Sequence, residues 1–468
     1  MQQTNELSAS TKRIFEEYPV KKALLSMVLP TIVSQLIVVV YNLADTWYVG
    51  RTGNADAVAA ISLCLPVYTI LSAISNLFGM GGASAIARAL GNGEQDKAKQ
   101  TFAVATYAGL AAAILYAVLI DCFCKPLLLL IGADAGDIGY AMRYIKWTIV
   151  FGAVPTILAP SFAHMIRASG NPKAASFGMI LGALLNIALD PLFMFVLLPK
   201  GHEVTGAAVA TMLSNVVSLV YFLVFMASQG ADNGYSFRIY SNGRNKSIFS
   251  DVFCSGIPGF CMQAFAMFSN CFLNSMLSVL GSEAVAGIGI VRKIDQLAFA
   301  VNQGITQGML PLVAYCYSSG LHARMKKIIA YSAIGTFVFS LLCMGTSLLF
   351  APQLVQIFLP DEATIAYGAE FLRVICLAIP IYSVTFIIVA VFQAAGRGAE
   401  PFALTVLRKG SLDILLMFVL RAALGVSKIT LATPITEAVA LCVGLVLLLR
   451  FLKRLPNKAT KTALSLQK

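Results

Sequence analysis

The chain has 468 residues, 58% of them hydrophobic and only 12% charged, with a formal net charge of +12. That balance excludes a soluble globular protein and a disordered chain, and it sets an integral membrane protein. The positive excess is spread along the connections between apolar runs rather than gathered in one patch, so no nucleic-acid partner is expected.

In chain order, the leading stretch MQQTNELSASTKRIFEEYPV is polar and mixed in charge. It is not a cleavable signal peptide by pattern, and the first apolar run is expected to act as the insertion signal. Runs long enough to cross a bilayer, about 20 residues each, follow near 24–49, 57–80, 101–123, 142–164, 174–198, 205–228, 250–279, 284–310, 327–350, 365–395, 401–424 and 430–452. The fourth, eighth and eleventh are interrupted by charge. These runs predict an all-α fold of twelve transmembrane helices.

Lys and Arg fall mostly on one side of these spans, among them Lys21, Lys22, Arg88, Lys97, Arg167, Lys173, Arg324, Lys326, Lys327 and the tail beyond Arg450. The opposite connections hold little beyond Arg51, Lys125, Lys200 and Lys428. Positive-inside asymmetry therefore predicts a multi-pass protein of the plasma or inner membrane with both termini cytoplasmic. The ten cysteines lie mostly within spans and read as small packing residues. His164, His202 and His322 are scattered and form no metal-ligand spacing.

The chain is written twice. A shift of 228 superposes Pro30 on Pro258, Gln35 on Gln263, Asn42 on Asn270 and Gly53 on Gly281, and a shift of 227 carries Gly81 onto Gly308 and Gly93 onto Gly320. Later, at 226, RASGNP (167–172) meets QAAGRGAEP (393–401). Six spans per half is an even number, so the repeats are parallel, as in secondary transporters whose halves enclose a central cavity. The expected division is an N-terminal lobe at 1–228, a cytoplasmic linker at 229–249, a C-terminal lobe at 250–455 and a tail at 456–468.

Intramembrane acids are costly, so they are functional candidates. Asp45 closes the first span, with Tyr41 and Asn42 one turn before it and Gln35 two turns before Asn42, so one face carries a polar stripe. Asp190 has Asn186 four residues earlier, on one face. The repeat keeps Gln263 and Asn270 but has Leu273 in place of the first acid, so only the first half has it. The alternatives are that Asp45 hydrates near the membrane surface or pairs with Arg51, and that Asp190 satisfies the kink at Pro191. Arg292 with Asp295, and Lys409 with Asp413, are spaced to neutralise each other locally.

The segments YNLADTWYVGRTG, GMGGASAIARALGNGEQDKAKQ, LLNIALDPLF, GAAVAT and NQGITQGMLPLVAYCYSSG together resemble the multidrug and toxic compound extrusion (MATE) family, from about residue 20 to 455. The resemblance implies two six-helix lobes in a V that export organic, often cationic, compounds in exchange for protons or sodium ions. It is not an enzyme family, and it implies no cofactor beyond the coupling ion. In the archaeal and DNA-damage-inducible-like branches the ion site lies in the N-terminal lobe. By that pattern Asp45, Tyr41, Asn186, Asp190 and Thr211 match its site, with sodium a possible occupant of Asp45, Asn186, Asp190 and Thr211, and Pro30 matches the proline at which the first helix bends. The other pattern, with acids on the seventh and tenth helices, is absent: the seventh offers Gln263, Asn270 and Asn274, which with Gln35 and Asn42 are the expected cavity polar groups.

Two carboxylates in one low-dielectric pocket do not comfortably both ionise, which suits proton exchange. The oxygens of Asp45, Asn186, Asp190 and Thr211 equally suit a hard cation. Expected partners are small organic cations or drugs and membrane lipids, and the chain is expected to be a monomer. The rival readings are a lipid-linked oligosaccharide flippase of the same superfamily, disfavoured by the shortage of mid-span Arg and Lys in the first lobe, and an intramembrane aspartyl protease, disfavoured because LADT and ALDP lack glycine-flanked acids. The glycines of RALGNGEQDKAKQ form no phosphate-binding pattern, which argues against ATP drive.

Overall fold

The computed structural model describes residues 9–52, 55–134, 136–199, 201–229, 235–239 and 243–455, which are helical almost throughout, with no strand among them. We number the long helices α1 (Val20–Gly50), α2 (Ala55–Gly91), α3 (Gln95–Ile131), α4 (Ile138–Phe151 with Ala153–Ala168), α5 (Pro172–Leu197), α6 (Glu203–Ser228), α7 (Asn245–Leu280), α8 (Ser282–Ser318), α9 (His322–Leu349), α10 (Glu362–Ala394), α11 (399–424) and α12 (Val426–Arg454). Among the described residues nine of these are apolar and long enough to cross a membrane, and α4, bent by 51° beside Gly152, makes a tenth. The remaining two, α8 and α11, carry Arg292, Lys293 and Asp295, and Arg408, Lys409 and Asp413. Those are two of the three spans in which the sequence shows interrupting charge, and the bent α4 is the third.

Side chains sort as lipid demands. Leu25, Leu29, Leu115, Phe123, Val224, Leu342 and Leu449 are exposed on the outside of the bundle. Hydroxyls inside the helices return to the carbonyl one turn back, as Thr31 does to Met27 (2.7 Å) and Ser214 to Ala210 (2.7 Å), so few polar groups face the apolar surround unsatisfied.

The two halves join along two seams, α2 on α7 and α8 on α1. Each is closed by glycine. A Cβ on Gly256 would lie 1.8 Å from the Leu77 carbonyl oxygen, and one on Gly81 would lie 2.2 Å from the Val252 oxygen. On the other seam a Cβ on Gly308 would lie 2.8 Å from the Val28 Cα, and one on Gly304 2.7 Å from the Ile32 Cα. Small residues permit this backbone-to-backbone approach where no hydrophobic force drives helices together. The offsets found in the sequence exchange the seams, Gly81 for Gly308 and Val28 for Gly256, so the repeat is realised as a two-fold relation between six-helix halves.

Cross-half contacts gather at one end, which we term the closed end. Arg88 reaches Asp251 (2.6 Å) and Ser255 (3.1 Å), and Ser84 donates to the Gln393 carbonyl (2.5 Å). The series runs inward to Gln35, whose Nε2 donates to Gln307 Oε1 at 2.9 Å. Beyond that pair the halves diverge, which gives the V.

Two connections depart from the polar loops expected of them. Residues 9–17 form a short strap over the closed end: Thr11 donates to the Ser169 carbonyl (2.9 Å), Phe15 is fully buried against Tyr315 (ring centroids 4.8 Å apart), and the Tyr315 hydroxyl donates to Glu16 (2.6 Å). The linker is the second. Its residues 235–239 press Tyr235 and Phe237 edge-on against Phe102, with Asn171 donating to the Tyr235 hydroxyl (2.9 Å). Helix α7 starts at Asn245 rather than near 250, because the run from Asn245 continues into the span without a break. The proposed tail at 456–468, together with Gly53, lies outside the described residues.

Candidate functional site

A cavity of about 450 Å³ lies between the halves above the Gln35–Gln307 pair. Helices of the first half supply most of its wall: Gln35, Tyr41 and Asn42 from α1, Tyr68 and Asn76 from α2, Thr156, His164 and Arg167 from α4, Asn186 from α5, and Thr211 and Asn215 from α6. The second half adds Gln263 from α7 and Gln296, Phe299, Gln303 and Gln307 from α8. The surface mixes amides, hydroxyls and aromatic rings with aliphatic side chains, and holds one guanidinium and no carboxylate among the described residues.

Behind that wall sits an acidic cluster. Helices α5 and α6 pack against each other closely enough for Ser218 to donate to the Gly178 carbonyl (3.0 Å), and this fixes the faces that meet. Asn186 and Asp190, four residues apart, share the α5 face turned to Thr211 on α6. The Asn186 amide donates to Asp190 Oδ1 at 3.3 Å and to Thr211 Oγ1 at 3.4 Å. Asp190 is 0% exposed, Asn186 2% and Thr211 8%. With that amide pointed at its two neighbours, Asp190 Oδ2 and Asn186 Oδ1 are left without hydrogen-bond partners among the described residues. Two buried oxygens lacking a donor are the arrangement that accepts a proton or a hard cation.

Helix α1 closes the cluster from the other side. Asp45 lies near Asp190, and the Tyr41 hydroxyl lies near Tyr68, which in turn neighbours Asn215. Asn215 in turn donates to Thr156 Oγ1 at 3.0 Å, so a polar chain runs from α1 through α2 and α6 to the bend region of α4. Asp45 is partly exposed and forms no ion pair among the described residues. The alternative partner Arg51 stacks instead on the Trp47 ring, 4.9 Å from its centroid.

The structure therefore brings Asn186, Asp190 and Thr211 into contact, sets Tyr41 and Asp45 beside them, and places Gln35, Asn42 and Gln263 in the cavity wall. Asn270 and Asn274 do not line the cavity. They share a helical face with Gln263 but lie two and three turns farther along α7, past the point where the halves separate. Asn270 is exposed there, and its carbonyl accepts from Arg292 at 3.2 Å. Pro30 sits inside α1, which runs unbroken from Val20 to Gly50.

In the second half, Lys409 and Asp413 pair as their spacing predicts (3.3 Å), and Ser269 also donates to Asp413 (2.5 Å). Arg292 and Asp295 do not pair. Asp295 instead accepts from the Tyr382 hydroxyl at 2.9 Å, because α10 packs directly on α8 while Arg292 turns toward α7. The sequence reading missed Arg408, which makes a buried bidentate pair with Glu437 (2.7 and 2.8 Å). A signal was present: the 226-residue offset puts Glu437 at the place of Thr211. Arg167, read as part of the cytoplasmic rim, is buried and lines the cavity. Among the described residues no group of three His, Cys, Asp or Glu side chains converges as a metal site.

The polar cavity between duplicated halves is matched by a duplicated family signature: the MatE family model fits residues 30–192 and again residues 258–419. The chain belongs to the MatE family. A multidrug export protein of Staphylococcus aureus, MepA, is 28% identical over 443 residues, covering 94% of this chain and 95% of the relative. Among solved structures, a MATE in the straight conformation superposes with a TM-score of 0.88 at 23% identity, covering 96% of this chain and 99% of the other. An outward-facing multidrug resistance MATE family transporter of the MOP superfamily gives 0.88 at 24% identity, with the same coverage. These place the MatE fold on 96% of the chain.

Proposed function

We propose that this MatE-family protein is a multidrug efflux transporter that exports organic amphiphiles, cationic ones among them, in exchange for protons or sodium ions by alternating access. The observation that carries the reading is the Asn186–Asp190–Thr211 cluster, in which Asn186 and Thr211 line the cavity and Asp190 is buried behind them, with two oxygens lacking donors and Asp45 beside it. An acid pair so placed responds to a proton or sodium ion arriving from the open side, and its neutralisation changes the field felt by cargo in the adjoining cavity. The relationship to a multidrug export protein over nearly the full chain supports the cargo class.

In this reading the closed end, with its basic loops, faces the cytoplasm, and the protein sits as a monomer in the plasma membrane. Cargo held in the cavity shifts the equilibrium between states only by its differential affinity for them. Pro30 leaves one carbonyl of α1 without its helical donor, so bending of α1 at that point is the movement by which the ion signal reaches the Gln35–Gln307 floor. The cavity's single fixed cation, Arg167, is too few for a lipid-linked pyrophosphate, which sets the flippase reading behind this one.

The test is transport in proteoliposomes under a proton gradient or a sodium gradient imposed separately. Ethidium movement driven by one gradient and indifferent to the other names the ion. Movement that neither gradient accelerates overturns the proposal.

A further inference from the structure

Among the described residues Arg167 is the one formally charged side chain in the cavity wall, and it is 3% exposed. Its Nε has no hydrogen-bond partner, and its only polar contact among the described residues is Nη1 to His164 Nδ1 at 3.5 Å, the long limit for such a bond. Among the described residues no carboxylate stands within ion-pair distance of it. Arg408, equally buried at 3%, has the Nε–Nη2 edge of its guanidinium taken by Glu437, and Arg88 holds Asp251.

Arginine keeps its charge in any protein environment and presents a planar fork of donors suited to carboxylates. A position in the last turn of α4 favours a cation through the helix dipole. None of the Arg167 nitrogens is occupied by a carbonyl, however, so the dipole leaves the fork free. A buried fork with no internal anion, opening on a cavity, is a site for an external one.

Its position sets the shape of what binds. Thr156, tied through Asn215 to the polar chain that ends at Tyr41 beside Asp45, lies eleven residues before Arg167 on the same helix. At 1.5 Å per residue that is roughly 16 Å along α4. The cavity is thus electrically graded, acids behind its upper wall and a guanidinium at its depth.

We infer that Arg167 is a specificity-determining residue that receives a carboxylate on zwitterionic cargo, while the cargo's cationic part lies toward Asp45 and Asp190. This deepens the efflux reading above and rests on it. The discriminating cargo is an amphiphilic dye that carries both a fixed organic cation and a free carboxylate, compared with its ethyl ester.

Binding is measured by fluorescence anisotropy at neutral pH with the full chain in phosphatidylcholine nanodiscs. The expected result is that the wild type binds the acid about tenfold tighter than the ester. Arg167→Gln then removes that preference while ester affinity stays within about twofold, and Arg167→Lys, which keeps the charge but not the fork, retains only part of it. The ester doubles as the folding control for both variants. A wild type with no preference for the acid, or an Arg167→Gln protein that weakens both dyes equally or neither, overturns the inference while leaving the efflux reading intact. A wild type that binds neither dye overturns both.

Discussion

Arg88 of α2 and Asp251 of α7 meet at 2.6 Å across the seam between the halves, and Arg88 also donates to the Ala394 carbonyl at 3.2 Å. One side chain thereby ties the first half to two helices of the second. Opening the closed end must break all of these bonds. Asp251 is partly exposed, so the pair ranks between a surface and a buried ion pair, and its loss favours the opened state by about 1–2 kcal/mol. Asp251→Ala should therefore shift spin-label distances across the closed end toward the longer population by roughly tenfold, measured by pulsed electron resonance.

Replacing either acid of the first half separates coupling from binding. In Asp45→Asn and Asp190→Asn, ethidium efflux from a pump-deficient bacterium should fall at least tenfold, with expression unchanged. Thr211→Ala, which removes one oxygen of the cluster while leaving both acids, should lower the rate by less. Efflux at the full rate in both aspartate variants would show that the cluster plays no part in exchange.

The glycine seam sets a steric test. Gly256→Ala puts a methyl group 1.8 Å from the Leu77 carbonyl oxygen, a backbone atom that cannot rotate away. Overpacking of this kind costs about 1–3 kcal/mol or more. Gly345→Ala, with nothing within 4 Å, should be neutral or slightly stabilising, since alanine is the better helix former by about 1 kcal/mol. Thermal unfolding in detergent should separate the two by several degrees, with Gly256→Ala the lower.

The Arg408–Glu437 pair predicts a rescue. Glu437→Gln leaves the Arg408 guanidinium buried with a weaker partner, a loss of about 3–5 kcal/mol for a broken buried pair. The double replacement Arg408→Met with Glu437→Leu removes the charge altogether and should recover most of the lost unfolding temperature. If the double variant is as unstable as the single one, packing rather than charge governs this site.

Much of this arrangement could be read from the chain alone. The apolar runs locate all twelve helices, although α2, α3 and α8 continue well past them, α2 to Gly91 and α8 to Ser318, because their polar ends are held by packing at the closed end, and the matched landmarks Pro30 with Pro258 and Gln35 with Gln263 disclose the duplication. The acidic cluster was legible because a carboxylate in an apolar run stands out, and because Asn186 and Asp190 share a face through helical spacing alone. What stayed hidden depends on which helices become neighbours. Nothing in the spacing of Arg408 and Glu437, 29 residues apart on different helices, announces their contact. Asn270 and Asn274 lie on the correct face of α7, yet the divergence of the halves, invisible in a one-dimensional pattern, takes them out of the cavity. Arg167 looked like an ordinary basic residue at a span's end, and only the packing of α4 against α2 and α6 turns it inward.

The two glycine seams also dictate how such a molecule can change shape. Where main chains touch with no intervening side chains, there is no soft layer to shear, so in the proposed alternating-access cycle a seam would part as a unit rather than slide. On the α2–α7 seam Gly81 and Gly256 adjoin the Arg88–Asp251 pair, so the glycine contact and the ion pair give way in one step.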